Sequence, residues 1–419
     1  MSGIQIPTLE TRTLETRKTH MTTRRGVRII CGTDVHGQSC GITAYYVLRQ
    51  IYGDELVSVY SHYRTPQDPR PSSLAAGLPD CLREYGKDVE RLYIFDIPIF
   101  EEKGKDAEAA FKEVLEAGVD VWYIDHHGHN PYISNIAKMG VKAIIFGGAY
   151  DMAMYLPRMY DIVDDFVEKW AFIGAIADFD WSISWRVTRE LESYVCEYLD
   201  QAMKTQRKKL MEILNLPQKP EWGEAGSLIY GIVQKRIEPE EVIEAARKII
   251  QPIELPPNYK VFRDIVVFLP ERPKQYGLIW KLLWKATYVT QTKVGVAYGF
   301  DPQKKRDKIV IAKDWRFPEV IVFIEEFVNR YFAGKNVRIY GHEGAVSIEY
   351  PEGYQLTPEE VEQVAKDLAE FMFTRMLTGK VIHAISDETL ARYLAIDYRQ
   401  LNVMLNEIRE LCRKCVEGR

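Results

Sequence analysis

Acidic and imidazole side chains follow four separate apolar segments of this sequence. The residues are Asp34, His36, Asp96, Asp125, His126, His127 and Asp178. Carboxylates and imidazoles together favour Mn²⁺, Mg²⁺, Zn²⁺ or Fe²⁺ over a thiolate-bound metal. One or two such ions can hold a phosphate and lower the pKa of a bound water that attacks phosphorus. The residue types therefore suit a divalent-metal site, and hydrolysis of a phosphate ester is a reaction that such a site supports.

Each of these residues also has a simpler interpretation. A single aspartate after a strand is usually a turn former or a helix cap, and an isolated histidine pair is usually structural. Only the joint pattern, in which every member is expected at the end of a strand, favours the functional interpretation.

The elements that must position these residues alternate between strands and helices. Apolar runs of strand length lie at 27–31, 56–60, 92–95, 119–124 and 141–146, and helical patterns lie at 44–51, 107–115 and 149–155. Continuous apolar strands separated by helices predict an α/β fold with a parallel sheet covered on both faces. Ligands bind outside the carboxyl ends of such strands, so we expect the site at that edge.

The rest of the chain predicts further divisions. Helix formers dominate 183–215, a helix is predicted at 239–250, and clustered prolines indicate a boundary near 252–258. Runs at 261–268, 294–298, 309–312 and 337–340 predict a smaller second α/β domain. The predicted organisation is an N-terminal extension at 1–24, a parallel-sheet domain at 25–200, a helical connector at 201–257, an α/β domain at 258–355 and a helical tail at 356–419.

Composition limits the classes of function. A length of 419 residues predicts two or three domains. The formal charge of −5 argues against a nonspecific nucleic-acid coat protein, although basic runs at 207–209 and 304–306 leave room for a local basic groove. No run approaches the roughly 20 apolar residues that cross a bilayer, and the N-terminus lacks a secretory apolar region. We therefore expect no membrane partner, and the six cysteines, which form no disulfide scaffold, are expected to be free thiols in the cytoplasm.

Four motifs resemble those of the DHH phosphoesterases. The triplet Asp125-His126-His127, preceded by Tyr-Ile, is similar to the family signature. Residues 33–37 look like the first motif, 95–96 like the second and 176–178 like the fourth. The resemblance covers roughly residues 25–200, and four motifs in the family's order make it more specific than the triplet alone. The family includes RecJ-type exonucleases, oligonucleotide-degrading enzymes and cyclic-dinucleotide phosphodiesterases.

The resemblance implies a metal-binding role for five residues. Asp96 resembles the ligand that bridges two ions. His126 and Asp178 are implied to complete the second metal site, where His36 stands in the place of an aspartate. Asp34 is implied to belong to the first site. The implied cofactor is one or two ions of Mn²⁺, Mg²⁺ or another divalent transition metal.

The other members of the triplet are implied to act beside the metal. Asp125 is implied to orient a ligand, and His127 is implied to face the substrate phosphate. The implied catalytic set is Asp34, Asp96, His126 and His127.

The first motif departs from the family pattern. Family members commonly carry Asp-x-Asp there, with a further histidine or aspartate just upstream. Here the second aspartate is His36, and Ile30 and Gly32 occupy the upstream positions. The first metal site is thus one ligand short, while the second keeps two imidazoles, which favour softer transition metals. A remodelled two-metal enzyme, a one-metal enzyme and an inactive relative all remain open.

The second domain contains a partial match to a substrate-binding motif. Residues 340–345 resemble the Gly-Gly-His motif of the domain that follows DHH domains, although a tyrosine replaces the first glycine. The resemblance implies that Gly341, His342 and Gly344 contact substrate phosphate or sugar. Arg316, shortly upstream, is a further candidate phosphate contact.

Two hypotheses of function follow. The first is an enzyme that hydrolyses a phosphodiester in an oligonucleotide, a single-stranded nucleic acid or a cyclic dinucleotide. The second is a catalytically impaired DHH-like module that binds nucleic acid or replication and repair partners, with a loose helix-turn-helix pattern at 386–405 as a DNA-binding element. The final amphipathic helix also allows a homodimer. A related pyrophosphatase is disfavoured, because the motif at 340–345 resembles the nucleotide-handling type.

Overall fold

The computed structural model describes residues 26–61, 77–99, 103–127, 131–252, 254–255, 259–269, 276–301, 305–342 and 344–378. The predicted extension at 1–24 and the helix-turn-helix pattern at 386–405 lie outside the described residues. No helix within the described part combines the length and apolar composition needed to cross a bilayer.

The first sheet and its helices alternate along the chain as predicted. The elements are β1 (Val27–Cys31), α1 (Val35–Tyr52), β2 (Val57–Ser61), α2 (Leu78–Tyr85), β3 (Arg91–Phe95), α3 (Gly104–Glu116), β4 (Asp120–Asp125), α4 (Pro131–Lys138), β5 (Lys142–Ile145), α5 (Ala149–Ala153), α6 (Tyr155–Met159) and α7 (Asp165–Ala177). The strands are all parallel and lie in the order β2-β1-β3-β4-β5.

Helices cover both faces of this sheet. Successive residues of a strand point to opposite faces, so each strand contributes to two cores. In β1, Ile29 packs into the core that α1 and α7 share, while Ile30 packs into the core formed with α2, α3 and α4. The predicted parallel sheet covered on both faces is confirmed.

Helix α1 begins earlier than predicted. It starts at Val35 instead of residue 44, because the side chain of Asp34 accepts a hydrogen bond from the backbone N–H of Gly37 and caps the first turn. Residues 35–43 include weak helix formers, so the sequence did not indicate this start. The early start places His36 on the first turn of the helix.

The predicted long helix at 183–215 is broken in the structure. A 3₁₀ helix at Trp181–Arg186 precedes α8 (Arg189–Ser193), a π-helical turn at Tyr194–Leu199, α9 (Asp200–Thr205) and α10 (Arg207–Ile213). After these come α11 (Gly223–Lys235) and α12 (Pro239–Ile249). Apolar residues of α9 to α12 pack in the same core as α1.

The second sheet is mixed and has its own core. Its elements are β6 (Tyr259–Phe262), β7 (Ile265–Phe268), α13 (Tyr276–Thr290), β8 (Val294–Asp301), β9 (Arg306–Lys313), α14 (Val320–Tyr331), β10 (Arg338–His342), β11 (Ala345–Glu349) and α15 (Pro358–Thr378). The strand order is β10-β11-β9-β8-β7-β6, and only the β7–β8 pair among them is parallel.

One strand prediction in this domain was wrong in detail, and one strand was missed. The run at 261–268 is a hairpin instead of one strand, because Arg263 turns the backbone at φ = +52°. Strand β11 was missed, although every one of its residues is buried. Pairing with β9, which is remote in sequence, holds β11 in the sheet.

Candidate metal centre

The predicted site residues gather at the carboxyl edge of the first sheet. Asp34 follows β1, Asp96 follows β3, and Asp125 ends β4, and these three strands are adjacent. The strand order reverses between β1 and β3, which is the topological switch point where ligands bind in doubly wound sheets.

Two glycines allow the loops after β1 and β3 to approach closely. A Cβ on Gly37 would lie 2.4 Å from the Cα of Gly32. A Cβ on Gly32 would lie 2.6 Å from the backbone oxygen of Asp96 and 2.9 Å from its Oδ2. Because real Cβ atoms do not approach backbone so closely, glycine is required at both positions. The pair thereby sets the distance between the start of α1 and Asp96.

Asp178 reaches the site from a helix, so the prediction that it ends a strand was wrong. It is the C-terminal cap of α7, and Gly174 of that helix packs against α1: a Cβ there would lie 2.7 Å from the Cβ of Ser39 and 3.4 Å from the Cα of His36. The negative end of the helix dipole at Asp178 favours a nearby cation.

The turn after Asp178 is strained. Asp180 N–H donates to the carbonyl of Ala175 and Phe179 N–H donates to that of Ile176, which is the Schellman arrangement. Phe179 occupies the left-handed position of this motif at φ = +57°, where glycine is usual. Asp96 has the same unusual backbone, also at φ = +57°. Such conformations in residues other than glycine cluster at functional sites.

Asp96 lies at the centre of the cluster and is buried. Its Oδ1 lies 3.3 Å from Nδ1 of His36, 3.2 Å from Nε2 of His126 and 3.9 Å from Nδ1 of His127. The same nitrogen of His126 lies 3.1 Å from Oδ2 of Asp178. One imidazole thus stands between two carboxylates from different elements.

Among the described residues, two groups have ligand atoms close enough to share an ion. One consists of His36, His126 and Asp178, and the other of Asp96, His126 and His127. Neither group contains Asp34, whose carboxylate instead caps α1.

The hydrogen bonds of His36 fit a metal ion. Its Nε2 lies 3.1 Å from the carbonyl oxygen of Ala149. Because a carbonyl oxygen only accepts, Nε2 carries the hydrogen, and Nδ1 of the neutral ring has a lone pair. This nitrogen lies 3.3 Å from Oδ1 of Asp96 inside a buried site. Nδ1 of His36 and Oδ1 of Asp96 are both acceptors, so a positive charge is needed between them. A proton or a bound metal ion supplies this charge.

Asp125 is held away from the ligand atoms. Its carboxylate accepts hydrogen bonds from Tyr123 Oη at 2.7 Å, His126 N at 2.9 Å and His127 Nδ1 at 2.7 Å, and it is fully buried. These bonds place it behind the triplet, where it sets the orientation of the His127 ring.

Opposite charges shift the pKa values of the cluster. Burial raises the pKa of Asp96, but the imidazoles of His36 and His126 outweigh burial and hold this pKa well below its usual range. Burial lowers the pKa of His126, but Asp178 and Asp96 raise it above its ordinary value. Burial and the neighbouring carboxylate of Asp96 raise the pKa of Asp34 to about 6. The cluster therefore needs cations to compensate the negative charge of its carboxylates.

Four of the five predicted substrate residues lie in the second domain. Gly341 and His342 belong to β10, and Gly344 lies in the turn to β11 at the edge of the second sheet. Arg316 is held by carboxylates: its guanidinium donates to Glu192, and Nη1 also lies 3.2 Å from Oδ2 of Asp314.

Glu192 joins the two domains and was not recognised in the sequence. This residue is only 1% exposed, and its Oε1 accepts from Nε1 of Trp284 at 2.7 Å and from Nε1 of Trp315 at 3.0 Å. Its other oxygen accepts from Arg316. No local pattern marks such a residue, because its partners lie about a hundred positions away. The Trp315 ring also lies 6.4 Å from that of Phe179, beside Asp178.

The structure is similar to several solved DHH-type proteins. One is the DHH domain of a member of a family of ribosomal proteins, at 14% identity over 83% of this chain and 87% of that chain, with a TM-score of 0.42. RecJ of Thermus thermophilus in complex with Mn²⁺ is 14% identical over 83% of this chain and 52% of that chain, with a TM-score of 0.40. The pGpG-specific phosphodiesterase PggH from Vibrio cholerae is 15% identical over 83% of this chain and 99% of that chain, with a TM-score of 0.40.

The fold resembles that of DHH-domain proteins. It is the family whose motifs the sequence resembles. No family model matches the chain, and no curated protein is significantly similar to it. The likenesses to solved structures concern the fold alone.

Proposed function

We propose that this protein hydrolyses phosphodiester bonds with a divalent metal ion held by His36, Asp96, His126 and Asp178. The observation that carries the proposal is the chain of contacts among these four side chains at the switch of the parallel sheet, where ligand atoms lie 3.3 Å apart in His36 and Asp96, 3.2 Å apart in Asp96 and His126, and 3.1 Å apart in His126 and Asp178. Imidazole and carboxylate ligands together suit Mn²⁺ better than Mg²⁺, which prefers oxygen ligands.

The bound ion would neutralise phosphate charge and lower the pKa of a water molecule. The protein supplies the geometry. Asp96 is fixed by its left-handed backbone and by the two imidazoles beside it, and the carbonyl of Ala149 fixes the tautomer of His36. Such supporting contacts orient the ligand atoms before the substrate arrives.

His127 is suited to bind the substrate phosphate. Its side chain is 41% exposed, whereas that of His126 is 6% exposed. Burial opposes its protonation, but the carboxylate of Asp125 raises the pKa of His127 to about 10, so the ring is a cation at neutral pH. Since Nδ1 is bonded to Asp125, Nε2–H remains for a charge-assisted bond to phosphate.

The surface beside Asp178 favours an oligonucleotide or single-stranded nucleic acid as substrate. Trp185 is 83% exposed, and the guanidinium of Arg186 lies 5.9 Å from the centre of its ring. Asp180 anchors this 3₁₀ segment, because its carboxylate accepts from the N–H groups of Tyr150 and Ser182, both at 2.9 Å. Exposed aromatic and arginine side chains stack nucleobases without reading their sequence.

The test measures metal content and hydrolysis on one preparation. Elemental analysis is followed by assays with bis-p-nitrophenyl phosphate and a labelled short oligonucleotide, with and without Mn²⁺. Asp96→Asn is expected to abolish metal-dependent turnover while leaving the circular dichroism spectrum unchanged. Asp151→Asn is the matched control, because this carboxylate is exposed and pairs only with Arg158 among the ion pairs of the described residues.

Absence of both metal and turnover in folded wild-type protein would refute the proposal. Oligonucleotide binding that does not respond to Mn²⁺ would then favour the alternative, a catalytically impaired module that binds nucleic acid.

A further inference from the structure

Trp315 belongs to the second domain by sequence but packs in the core of the first. It lies in the loop between β9 and α14, and it is 2% exposed. Its ring is part of the apolar core that α1 and α7 share, whereas the residues of α14 that follow it pack in the core of the second sheet. The second domain thus inserts an indole ring into the domain that carries the proposed metal centre.

The loop around Trp315 is anchored in both domains. Within the second domain, the N–H of Asp314 donates to the carbonyl of Lys293 at 2.7 Å, and the carboxylate of Asp314 accepts from the N–H of Arg316 at 2.9 Å. From the first domain, Glu192 accepts from Nε1 of Trp315 at 3.0 Å and from the guanidinium of Arg316. Because both domains hold this loop, the position of the indole ring is fixed relative to both.

The indole ring contacts Phe179, the residue after the candidate metal ligand Asp178. The centres of the Trp315 and Phe179 rings lie 6.4 Å apart, with 50° between their planes, which is within the range of aromatic pairs. The left-handed backbone of Phe179, at φ = +57°, costs free energy in a residue that has a Cβ. Such a conformation persists only where the surroundings impose it, and the buried indole is one such contact.

The turn at Phe179 helps to set the position of the Asp178 carboxylate. Asp178 caps the C-terminus of α7, and its Oδ2 lies 3.1 Å from Nε2 of His126. Its side chain is 30% exposed, whereas that of Asp96 is 3% exposed. Packing around the side chain therefore constrains Asp178 less than Asp96, and the backbone of the turn matters more for where the Asp178 carboxylate lies.

We propose that Trp315 is a positioning residue of the metal centre, through which the second domain holds the carboxylate of Asp178 in place. The inference rests on the proposed metal centre and adds a role for the second domain in metal binding. Contacts behind a metal ligand orient its donor atom, and their loss weakens metal binding by roughly 10- to 100-fold.

The test compares two tryptophans that share one acceptor. Nε1 of Trp284 also donates to Oε1 of Glu192, at 2.7 Å, and Trp284 is likewise buried, but its ring contact among the described residues is with Tyr288. Trp315→Leu and Trp284→Leu thus each remove one N–H from the same carboxylate. Of the two changes, Trp315→Leu is the one that removes the contact with Phe179.

The metal-free full-length variants are titrated with Mn²⁺ by calorimetry, and guanidinium chloride denaturation measures their free energy of unfolding. We expect both variants to lose stability, because each leaves Glu192 with one donor fewer. Only Trp315→Leu should bind Mn²⁺ more weakly than the wild type, by roughly 10- to 100-fold. A purely structural role of Trp315 would lower stability without this difference in affinity.

Phe179→Leu removes the ring on the other side of the contact. Phe179 is 36% exposed, so this change opens no cavity in a core, and it should weaken Mn²⁺ binding as Trp315→Leu does. It replaces Trp315→Leu in the comparison if that variant does not fold. Wild-type affinity in Phe179→Leu, or equal weakening in Trp284→Leu, would overturn the proposal. Those outcomes leave the proposed metal centre intact, whereas a wild type that binds no Mn²⁺ at all refutes the metal centre itself.

Discussion

Nδ1 of His36 lies 3.3 Å from Oδ1 of Asp96, while its Nε2 lies 3.1 Å from the carbonyl oxygen of Ala149. In the sequence His36 is the departure from the DHH pattern, which has an aspartate there. In the structure this imidazole lies among the candidate ligands and is 1% exposed. In the proposed metal centre, the substitution replaces a carboxylate with an imidazole, so the position keeps a donor atom.

Removal of the His36 donor should weaken metal binding. His36→Gln takes the imidazole lone pair away from Asp96, and we expect the Mn²⁺ affinity to fall by at least roughly 10- to 100-fold, the range found for perturbed ligand shells. Calorimetric titration measures the Mn²⁺ affinity. Cys40→Ala is the control, because Cys40 touches the other ring nitrogen of His36 at 3.4 Å and is not a candidate ligand. Equal affinities in the two variants would exclude His36 as a ligand.

A side chain at Gly37 should separate the start of α1 from Asp96, because Gly37 and Gly32 could no longer approach each other closely. Gly37→Ala places a Cβ 2.4 Å from the Cα of Gly32, so backbone must move, at a cost of about 1–3 kcal/mol. Both the free energy of unfolding and the Mn²⁺ affinity should fall. Gly41→Ala, on the same helix, meets only the side chains of Ile229 and Cys31 among the nearest atoms and should retain the wild-type affinity. The two variants are compared by denaturation and titration.

The metal-free protein should lose stability as pH rises. The folded-state pKa of His127 is raised from 6.5 to about 10, so its stabilising charge is fully present below pH 6.5 and is lost as pH rises through about 10. Burial and Asp96 raise the pKa of Asp34 from 3.8 to about 6, which acts in the same direction but at lower pH, between these two values. Because His127 is 41% exposed, solvent screens its pairing and the effect on Tm should be modest.

With bound metal, the stability of the protein should instead increase as pH rises, because the rise removes the protons that compete with the ion for its ligands. Differential scanning fluorimetry across this pH range, with EDTA or with Mn²⁺, measures both trends. In EDTA, His127→Gln should show a smaller decline in Tm than the wild type. A Tm in EDTA that rises from pH 6.5 to 10 would contradict the assigned charges.

Glu192 should hold the two domains together. Glu192→Ala removes the acceptor of two indole N–H groups and the partner of Arg316, so we expect a loss of roughly 3–5 kcal/mol in the free energy of unfolding. Glu190→Ala, an exposed residue bonded to Tyr194, should change it by less than about 0.5 kcal/mol. Guanidinium chloride denaturation compares them, and similar losses in both variants would count against a role at the junction.

Removal of the Trp185 side chain should impair the hydrolysis only of substrates that carry nucleobases. Trp185→Ala is expected to raise KM for a short oligonucleotide, at roughly 1–3 kcal/mol per stacked base, and to leave hydrolysis of bis-p-nitrophenyl phosphate unchanged. Ile213→Ala, at another partly exposed apolar residue, is the control. Equal losses on both substrates would indicate that Trp185 supports the fold instead.

Part of the site could be predicted from the sequence because strand ends are local features. An apolar run followed by Asp or Asp-His-His marks both the strand and the residue that leaves its carboxyl end. Parallel pairing of β1, β3 and β4 then brings Asp34, Asp96 and Asp125 to one edge. The order of the four motifs carried the family resemblance for the same reason.

The remaining features depend on tertiary packing. Asp178 reaches His126 because Gly174 lets α7 lie against α1, and Gln38 and Arg207 tie α9 and α10 to the loop at Thr33. Sequence alone therefore determined which chemistry the chain carries at the ends of its strands. Only the tertiary structure decided which charges compensate each carboxylate, since those partners lie many tens of residues away and meet only when the helices pack.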